Sequence, residues 1–169
     1  MSDAAQKSGP QGGAPQGGPP SLGVLAQYLK DLSFENPKAP ASFSDPSGGA
    51  PQIDVDVNVN AHGLGADRYE VELSVSAKAR RGKDIVFVVE TTYAGAFEIR
   101  NMAPDQLELI MLVECPRILF PFLRQIVADA TRNGNFPPLM LEPIDFFTVY
   151  QQNRMRAQRQ AQPTQPAHA

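Results

Sequence analysis

Three segments in the first half of the chain alternate apolar and polar residues. The clearest is Gln52–Asn60, where isoleucine and valine alternate with aspartate and asparagine. Tyr69–Lys78 repeats this pattern, and Leu25–Glu35 alternates less regularly before Asn36-Pro37 ends it. A period of two is typical of a strand with one buried and one wet face. We therefore predict a strand in each segment.

A fourth strand is predicted at Asp84–Phe97, whose centre is apolar on both faces and in which Gly95 marks a bend or bulge. Loops are expected at His62–Gly65 and Arg80–Lys83. Because the connections between successive strands are short, we expect an antiparallel meander.

The imperfect alternation along Leu25–Glu35 separates two sets of side chains, with Leu25 and Leu29 among the polar set. One predicted face carries Ala26, Tyr28, Leu32 and Phe34, and the other carries Gln27, Asp31, Ser33 and Glu35. On this basis Tyr28 and Phe34 should point the same way.

After Phe97 the apolar period becomes helical. Pro104 suits a first helical turn and Asp105 complements the helix dipole there. Two adjacent rows with a spacing of four form a broad apolar face: Ile118, Phe122 and Ile126, and Leu119, Leu123 and Val127. Pro116 and Pro121 lack a backbone N–H, so a kink or break is expected at each.

The end of this helix and the start of the next have their own signals. Asn133-Gly134 predicts a left-handed stop, and Phe136–Leu141 predicts an extended connector restricted by two prolines. Asp145 is the expected N-cap of a last helix that begins at Phe146.

The order β-β-β-β-α-α predicts an α+β domain, a four-stranded antiparallel sheet with the C-terminal helices packed on one face. The apolar residues exceed what one such layer pair can bury, which favours self-association. We place the domain at residues 22–155. A Gly/Pro/Gln-rich extension at 1–21 and a tail at 156–169 are predicted to be disordered.

Charge and cysteine content narrow the kind of partner and the cellular compartment that the sequence predicts. The net charge is −3, but residues 22–150 hold 17 acids and 11 bases, which is −6. An acidic body argues against nucleic acid and for a basic partner, but on charge alone the better interpretation is that the acid only keeps the protein soluble. A single cysteine, no signal peptide and no long apolar run favour a cytoplasmic protein that does not insert into membranes.

The residues that bond chemistry requires are scattered. His62 and His168 have no ligand partners at metal spacing, so a solvated histidine is the better interpretation of each. Cys115 lies at a helix break without a nearby base, which favours a small buried hydrophobe. We predict no catalytic residue, metal or cofactor, and a protein that is not an enzyme.

Acidic residues recur instead on the predicted strands. If the strands pair, one sheet face collects them and would attract a basic segment of another protein. These acids are Asp31, Glu35, Asp54, Asp56, Glu70, Glu72 and Glu90.

Three sequence runs resemble the SecB family of bacterial export chaperones. They are YLKDLSFENPKAP at 28–40, YEVELSV at 69–75, and CPRILFPF at 115–122 followed by GNFPPLMLEPIDF at 134–146. The resemblance covers residues 24–152. It implies a homotetramer, a dimer of dimers, that holds unfolded precursors in the cytosol and delivers them to the ATPase SecA.

The resemblance also implies functional positions. Asp31, Glu35 and Glu90, with the apolar Val88 beside them, match positions that dock SecA. The basic tail, with Arg154, Arg156 and Arg159, departs from the acidic end common in the family, so a contact between tail and SecA is doubtful.

No ATP site is visible in the sequence, so clients held in apolar grooves would be released by transfer rather than by hydrolysis. Candidate groove residues are Tyr28, Phe34, Phe87, Tyr93, Phe97 and Phe120, any of which could instead be core. Leu119, Phe122 and Ile126 are predicted to pack the helices and the oligomer. The alternatives are a SecB-like chaperone for one client such as an antitoxin, a small enzyme for an apolar ligand, and a purely structural oligomer.

Overall fold

The computed structural model describes residues 17–44 and 49–161. It contains four strands, β1 (Ser21–Glu35), β2 (Gln52–Gly65), β3 (Arg68–Arg81) and β4 (Asp84–Arg100). Three α-helices follow, α1 (Pro104–Leu109), α2 (Cys115–Asn133) and α3 (Phe146–Ala161), and a short 3₁₀-helix occupies Ala41–Phe43. The predicted elements are therefore all present, and the four strands extend beyond their expected ends.

The predicted terminal segments are described only in part. β1 begins at Ser21, and α3 continues to Ala161, past the expected domain end at residue 155. Residues 1–16 and 162–169 of the predicted disordered segments lie outside the described residues.

The strands form one antiparallel sheet in the order β1-β4-β3-β2. β2, β3 and β4 are a meander, but β1 pairs with β4 at the far edge, so the expected four-strand meander is wrong. The connection from residue 36 to 51 is long enough to carry the chain across the sheet, which gives a Greek-key order. The two edges are therefore β1 and β2.

The β2–β3 turn lies later than the sequence predicts. β2 continues through His62–Gly65, the expected loop, and the two turn residues are Ala66 and Asp67, with φ of 49° and 60°. Positive φ at both central residues is the geometry of a tight hairpin whose twist matches the strands. His62 consequently lies on a strand rather than in a loop.

The helical segment tolerates its prolines without the expected break. A π-helical turn, Ile110–Glu114, joins α1 to α2 immediately before Pro116. The ring of Pro116 would crowd the carbonyl of Leu112 in a regular helix, and the wider turn relieves this. α2 then continues through Pro121 to Asn133.

The end of α2 differs from the prediction in one residue. Gly134 has φ of −75°, and the left-handed residue is Asn135 with φ of 64°. Beyond it, buried Thr131 accepts a hydrogen bond at 2.9 Å from the backbone N–H of Leu139, which fixes the extended connector to α2. Asp145 caps α3 as predicted and accepts from the N–H of Phe147 at 3.0 Å.

The helices cover one face of the sheet, which we call the inner face, and the opposite face is the outer face. The core lies between α2 and the two central strands, where Leu119 and Leu123 pack with Leu73, Val89 and Phe97, all fully buried. Apolar side chains on the inner face of the edge strands remain exposed: Val24, Leu29, Leu32, Ile53 and Val55. None of the described helices is long and apolar enough to cross a lipid bilayer.

Candidate functional site

The outer face gathers the acids that the sequence marks. The strand registers place all seven of the predicted acids there, in rows that run across the four strands. One row reads Ser33, Glu90, Ser76 and Asp56, and the next reads Glu35, Val88, Lys78 and Asp54. The Ser76 hydroxyl donates to Glu90 at 3.2 Å, as side chains on one face do.

Five of these acids form a group that we call the acidic patch: Asp31, Glu35, Asp54, Asp56 and Glu90. None of them forms an ion pair with another described residue. A shallow depression of about 300 Å³ is lined by Asp31, Asp56 and Glu90. Uncompensated carboxylates that share a surface create a negative potential that attracts cations.

The positions that the resemblance assigns to SecA docking come together on neighbouring strands. Asp31 and Glu35 lie on β1, and Val88 and Glu90 lie on β4. Glu35 is paired with Val88, and Glu90 is paired with Ser33, which lies between the two β1 acids. Asp56 joins this group from β2, which the sequence resemblance did not single out.

Tyr28 does not share a face with Phe34, contrary to the alternation prediction. The register slips between Leu29 and Asp31, where β1 holds one extra residue, Lys30. A bulge of this kind reverses the faces of all later residues. Tyr28 therefore points outward with Asp31, and its hydroxyl donates to Glu70 on β3.

Tyr28 belongs to a second group on the outer face, the bridging network of Tyr28, Lys30, His62, Glu70 and Glu72. The Lys30 ammonium contacts both carboxylates, with Glu70 at 3.0 Å, although β4 lies between the two strands. The intervening outer residues of β4 are Ala94 and Ala96, whose small side chains leave room for the crossing.

The network shifts the pKa values of the charged groups that it contains. Glu70 is buried, and the Tyr28 hydroxyl, with Lys30 and His62, lowers the pKa of its carboxyl to about 2. Hydrogen bonds to Glu72 and Glu70 raise the pKa of the Lys30 ammonium above its usual range. Both groups are therefore ionised at neutral pH. In this part of the outer face the positive charge of Lys30 lies against the negative charges of Glu70 and Glu72.

His62 has an acidic neighbour that sequence spacing did not reveal. Its Nε2 lies 2.5 Å from a carboxylate oxygen of Glu70, which is opposite it in the β2–β3 register. His62, Glu70 and Glu72 offer ligand atoms within 4.8 Å of one another, a set that a metal ion could use. Lys30 contacts both carboxylates of this set, so an internal cation already compensates them.

A second candidate site is an apolar groove between the β1–β2 connection and the connector after α2. It has a volume of about 400 Å³, and its lining includes Phe87, Phe136, Pro137 and Ile53. Phe34 and Phe43 contact Phe136 with ring centroids at 6.3 and 5.6 Å. We call the four phenylalanines, Phe34, Phe43, Phe87 and Phe136, the aromatic groove.

Only some of the predicted client-binding residues lie near this groove. Phe34 and Phe87 stack at 5.9 Å and belong to it, although Phe87 is only 3% exposed. Phe97 is wholly buried against α2, which is the core position that the sequence left open for it. Phe43 and Phe136 were missed, although the two prolines that follow Phe136 signal a backbone that holds its ring in place.

The remaining candidates are distributed over the helix layer. Tyr93 on β4 stacks on Phe122 of α2 at 5.8 Å, and Phe120 makes an edge contact with Phe146 of α3 at 6.0 Å. Tyr28 belongs to the bridging network described above. These three rings therefore do not form one continuous surface with the aromatic groove.

The predicted packing residues divide by exposure. Leu119 is fully buried in the core, whereas Phe122 is 48% exposed and Ile126 is half-buried. Cys115 is also buried, and burial raises the pKa of its thiol to about 12. A thiol that remains protonated is a packing group rather than a nucleophile.

Comparison with known proteins gives one family. The sequence model of the preprotein translocase subunit SecB matches residues 15–157. The chain is similar to the protein-export protein SecB of Rhodopseudomonas palustris strain TIE-1, with 51% identity that covers 86% of this chain and 92% of the relative. SecB of Bartonella bacilliformis is also 51% identical, with coverage of 86% and 91%.

The fold has a match among solved structures. A SecB-like chaperone from Mycobacterium tuberculosis, in complex with a peptide from an antitoxin, superposes with a TM-score of 0.61. It covers 73% of this chain and 90% of the solved chain at 19% identity. At that identity the match concerns the fold alone.

Proposed function

Because this chain belongs to the SecB family, we propose that it is an ATP-independent chaperone that holds unfolded precursor proteins and delivers them to SecA for export. The family's role in preprotein export is the premise. The observation that carries the detailed proposal is that one small domain has both an aromatic groove and an acidic patch. The aromatic groove suits unfolded clients, and the acidic patch suits a basic partner.

The aromatic groove has the chemistry that an unfolded client requires. Folded proteins hide their large apolar side chains, and unfolded ones expose them. A groove lined by phenylalanine and proline buries such side chains without demanding a particular sequence. Pro137 and Pro138 on one side and Pro51 on the other line this groove together with Phe136 and Phe87.

The acidic patch is the proposed docking surface for SecA. Its carboxylates form no ion pair with a described residue, so a basic segment would lose little by replacing existing contacts. Val88 supplies an apolar contact in the same row as Glu35. Docking of this kind is fast and salt-dependent. The proposed partner therefore presents cationic side chains beside at least one apolar residue.

We further propose that the chain forms the homotetramer of its family, a dimer of dimers, in the cytoplasm, and its exposed apolar residues support self-association. β1 is an edge strand with an open side, and Leu29 and Leu32 on its inner face are about half exposed. Phe122 extends this exposed apolar area on α2. An area of this kind is normally covered by another subunit. A client that spans several subunits would then gain affinity through effective concentration.

The test uses native mass spectrometry of the full chain mixed with a secretory precursor freshly diluted from denaturant. We expect a tetramer that captures the unfolded precursor and ignores the same precursor once folded. Capture of neither form would remove the general chaperone proposal and favour either a dedicated chaperone for one client or a structural oligomer. A dedicated chaperone for one client would capture its own client and ignore the precursor.

A further inference from the structure

β1 contains one residue more than its partner strand at the point where the docking acids begin. Leu29 pairs with Tyr93 and Asp31 pairs with Thr92, so Lys30 has no partner in β4. If alternation continued from Tyr28 without this bulge, Asp31 and Glu35 would turn to the inner face. The orientation of both acids therefore depends on a single extra residue.

The bulge is held from the outer face by Lys30. Its ammonium lies 3.0 Å from Glu70 and also contacts Glu72, and both acids are on β3. The side chain crosses β4 near Ala94, which is paired with Tyr28 on one side and with Glu72 on the other. Lys30 thus binds the bulge of an edge strand to a central strand of the sheet.

The bulge is held from the inner face by Thr91. The Thr91 hydroxyl is buried and donates at 3.0 Å to the backbone carbonyl of Asp31. A carbonyl next to a bulge is easily left without its ladder partner, and a buried hydroxyl satisfies it. Side chains on both faces of the sheet therefore stabilise the same irregularity.

We propose that Lys30 is a positioning residue for SecA docking: by binding Glu70 and Glu72 it stabilises the bulge that turns Asp31 and Glu35 onto the acidic patch. The inference rests on the proposed function, since it concerns the same docking surface. Lys30 itself contacts carboxylates of its own chain and acts on the partner through Asp31 and Glu35.

A second lysine, Lys78, makes it possible to distinguish the positioning role of Lys30 from an effect of net charge alone. Lys78 lies on the outer face in the same row as Val88 and Asp54 and forms no ion pair with a described residue. Lys30→Gln and Lys78→Gln each make the outer face more negative by one charge. If charge alone mattered, both variants would bind a basic partner as well as the unchanged protein or more tightly.

The experiment titrates SecA against the unchanged protein and both variants, after native mass spectrometry has shown that each assembles. We expect Lys30→Gln to bind roughly five- to tenfold more weakly, a loss typical of misplaced charged contacts. Lys78→Gln should bind equally well or more tightly. Thr91→Val, which leaves the charge unchanged, should also weaken binding.

Hydrogen exchange of the β1 backbone amides gives a readout that does not depend on SecA. We expect residues 31–35 to exchange faster in Lys30→Gln and Thr91→Val than in Lys78→Gln. If Lys30→Gln and Lys78→Gln bind SecA with the same affinity, the positioning role of Lys30 is overturned. The proposed docking of SecA on the acidic patch is then unaffected. If the unchanged protein does not bind SecA, the proposed docking itself fails, and exchange rates still decide whether Lys30 holds the bulge.

Discussion

The ring of Phe34 lies directly against Gly134, in the space that a Cβ would occupy. Phe34 is on β1 and Gly134 follows α2, so this contact joins the edge of the sheet to the connector that forms one wall of the aromatic groove. A glycine is required here because the Phe34 ring approaches so closely. Backbone conformation does not require it, since φ of Gly134 is −75° and lies outside the left-handed region.

Gly134→Ala should displace Phe34 and reshape the aromatic groove. Because the added methyl group overlaps a ring that is already packed, we expect a loss of about 1–3 kcal/mol of stability, typical of overpacking. Capture of unfolded precursor should weaken as well. Thermal denaturation and a precursor-binding titration measure the two effects.

Gly63→Ala is the matched control for this change. No atom lies within 4 Å of the position that its Cβ would take, so the substitution should leave both measurements nearly unaltered. Equal behaviour of the two variants would show that the contact between Phe34 and Gly134 has no energetic importance.

Reversing charge in the acidic patch should weaken docking without changing assembly. We expect Asp31→Lys combined with Glu35→Lys to reduce SecA affinity by at least about tenfold, because two attractive contacts become repulsive. The reduction should shrink as ionic strength rises. Isothermal titration at two salt concentrations measures it.

Glu108→Lys combined with Glu142→Lys changes the net charge equally, away from the outer face. SecA affinity should remain close to that of the unchanged protein. A similar loss in both double variants would mean that total charge, and not the acidic patch, governs the interaction.

Phe122→Ser should act on assembly rather than on the fold of the subunit. The Phe122 ring is about half exposed and stacks on Tyr93, so its removal costs the subunit little while it makes the helix surface polar. We expect native mass spectrometry to show a shift from tetramer toward smaller species. Leu64→Ser, at an equally exposed position near the β2–β3 turn, should leave the mass unchanged.

Leu119→Asn should behave differently from Phe122→Ser. Leu119 is fully buried next to Gly95, and an unpaired amide there would cost roughly 2–5 kcal/mol through lost packing and desolvation. The expected result is a lowered melting temperature, and a stable subunit of reduced oligomeric mass would contradict it.

The bridging network should make stability depend on pH in the acid range. The pKa of Glu70 is lowered from its ordinary value to about 2 in the folded chain. A lowered carboxyl pKa stabilises the fold above the unfolded value, and the contribution disappears as pH falls through the folded value. The stability difference between the unchanged protein and Glu70→Gln should therefore be largest above about pH 4.5 and decline toward about pH 2.

Denaturant unfolding of both proteins at several pH values between 2 and 7 checks this expectation. Lys30 remains charged throughout this range, and His62 on β2 is the neighbour of Glu70 from the other side. A difference that grew as pH fell would show that Glu70 is not held ionised by its neighbours.

Several features follow from local sequence alone. Alternation in Gln52–Asn60 and Tyr69–Lys78 marked two strands, and the residues around Asp145 marked the start of α3. These patterns are local because backbone geometry and capping involve residues a few positions apart. The three runs that resemble SecB likewise identified the family without reference to contacts.

Three features were decided only by the tertiary structure: the position of β1 beside β4, the bulge at Lys30, and the approach of His62 to Glu70. Each joins residues on different strands, and no spacing along the chain encodes the distance between them. The sequence by itself determined which strands carry acid and where the helices begin. Strand pairing determined that Asp31, Glu35, Asp56 and Glu90 share one face, because a shift of one residue would turn the acids of β1 to the opposite side of the sheet.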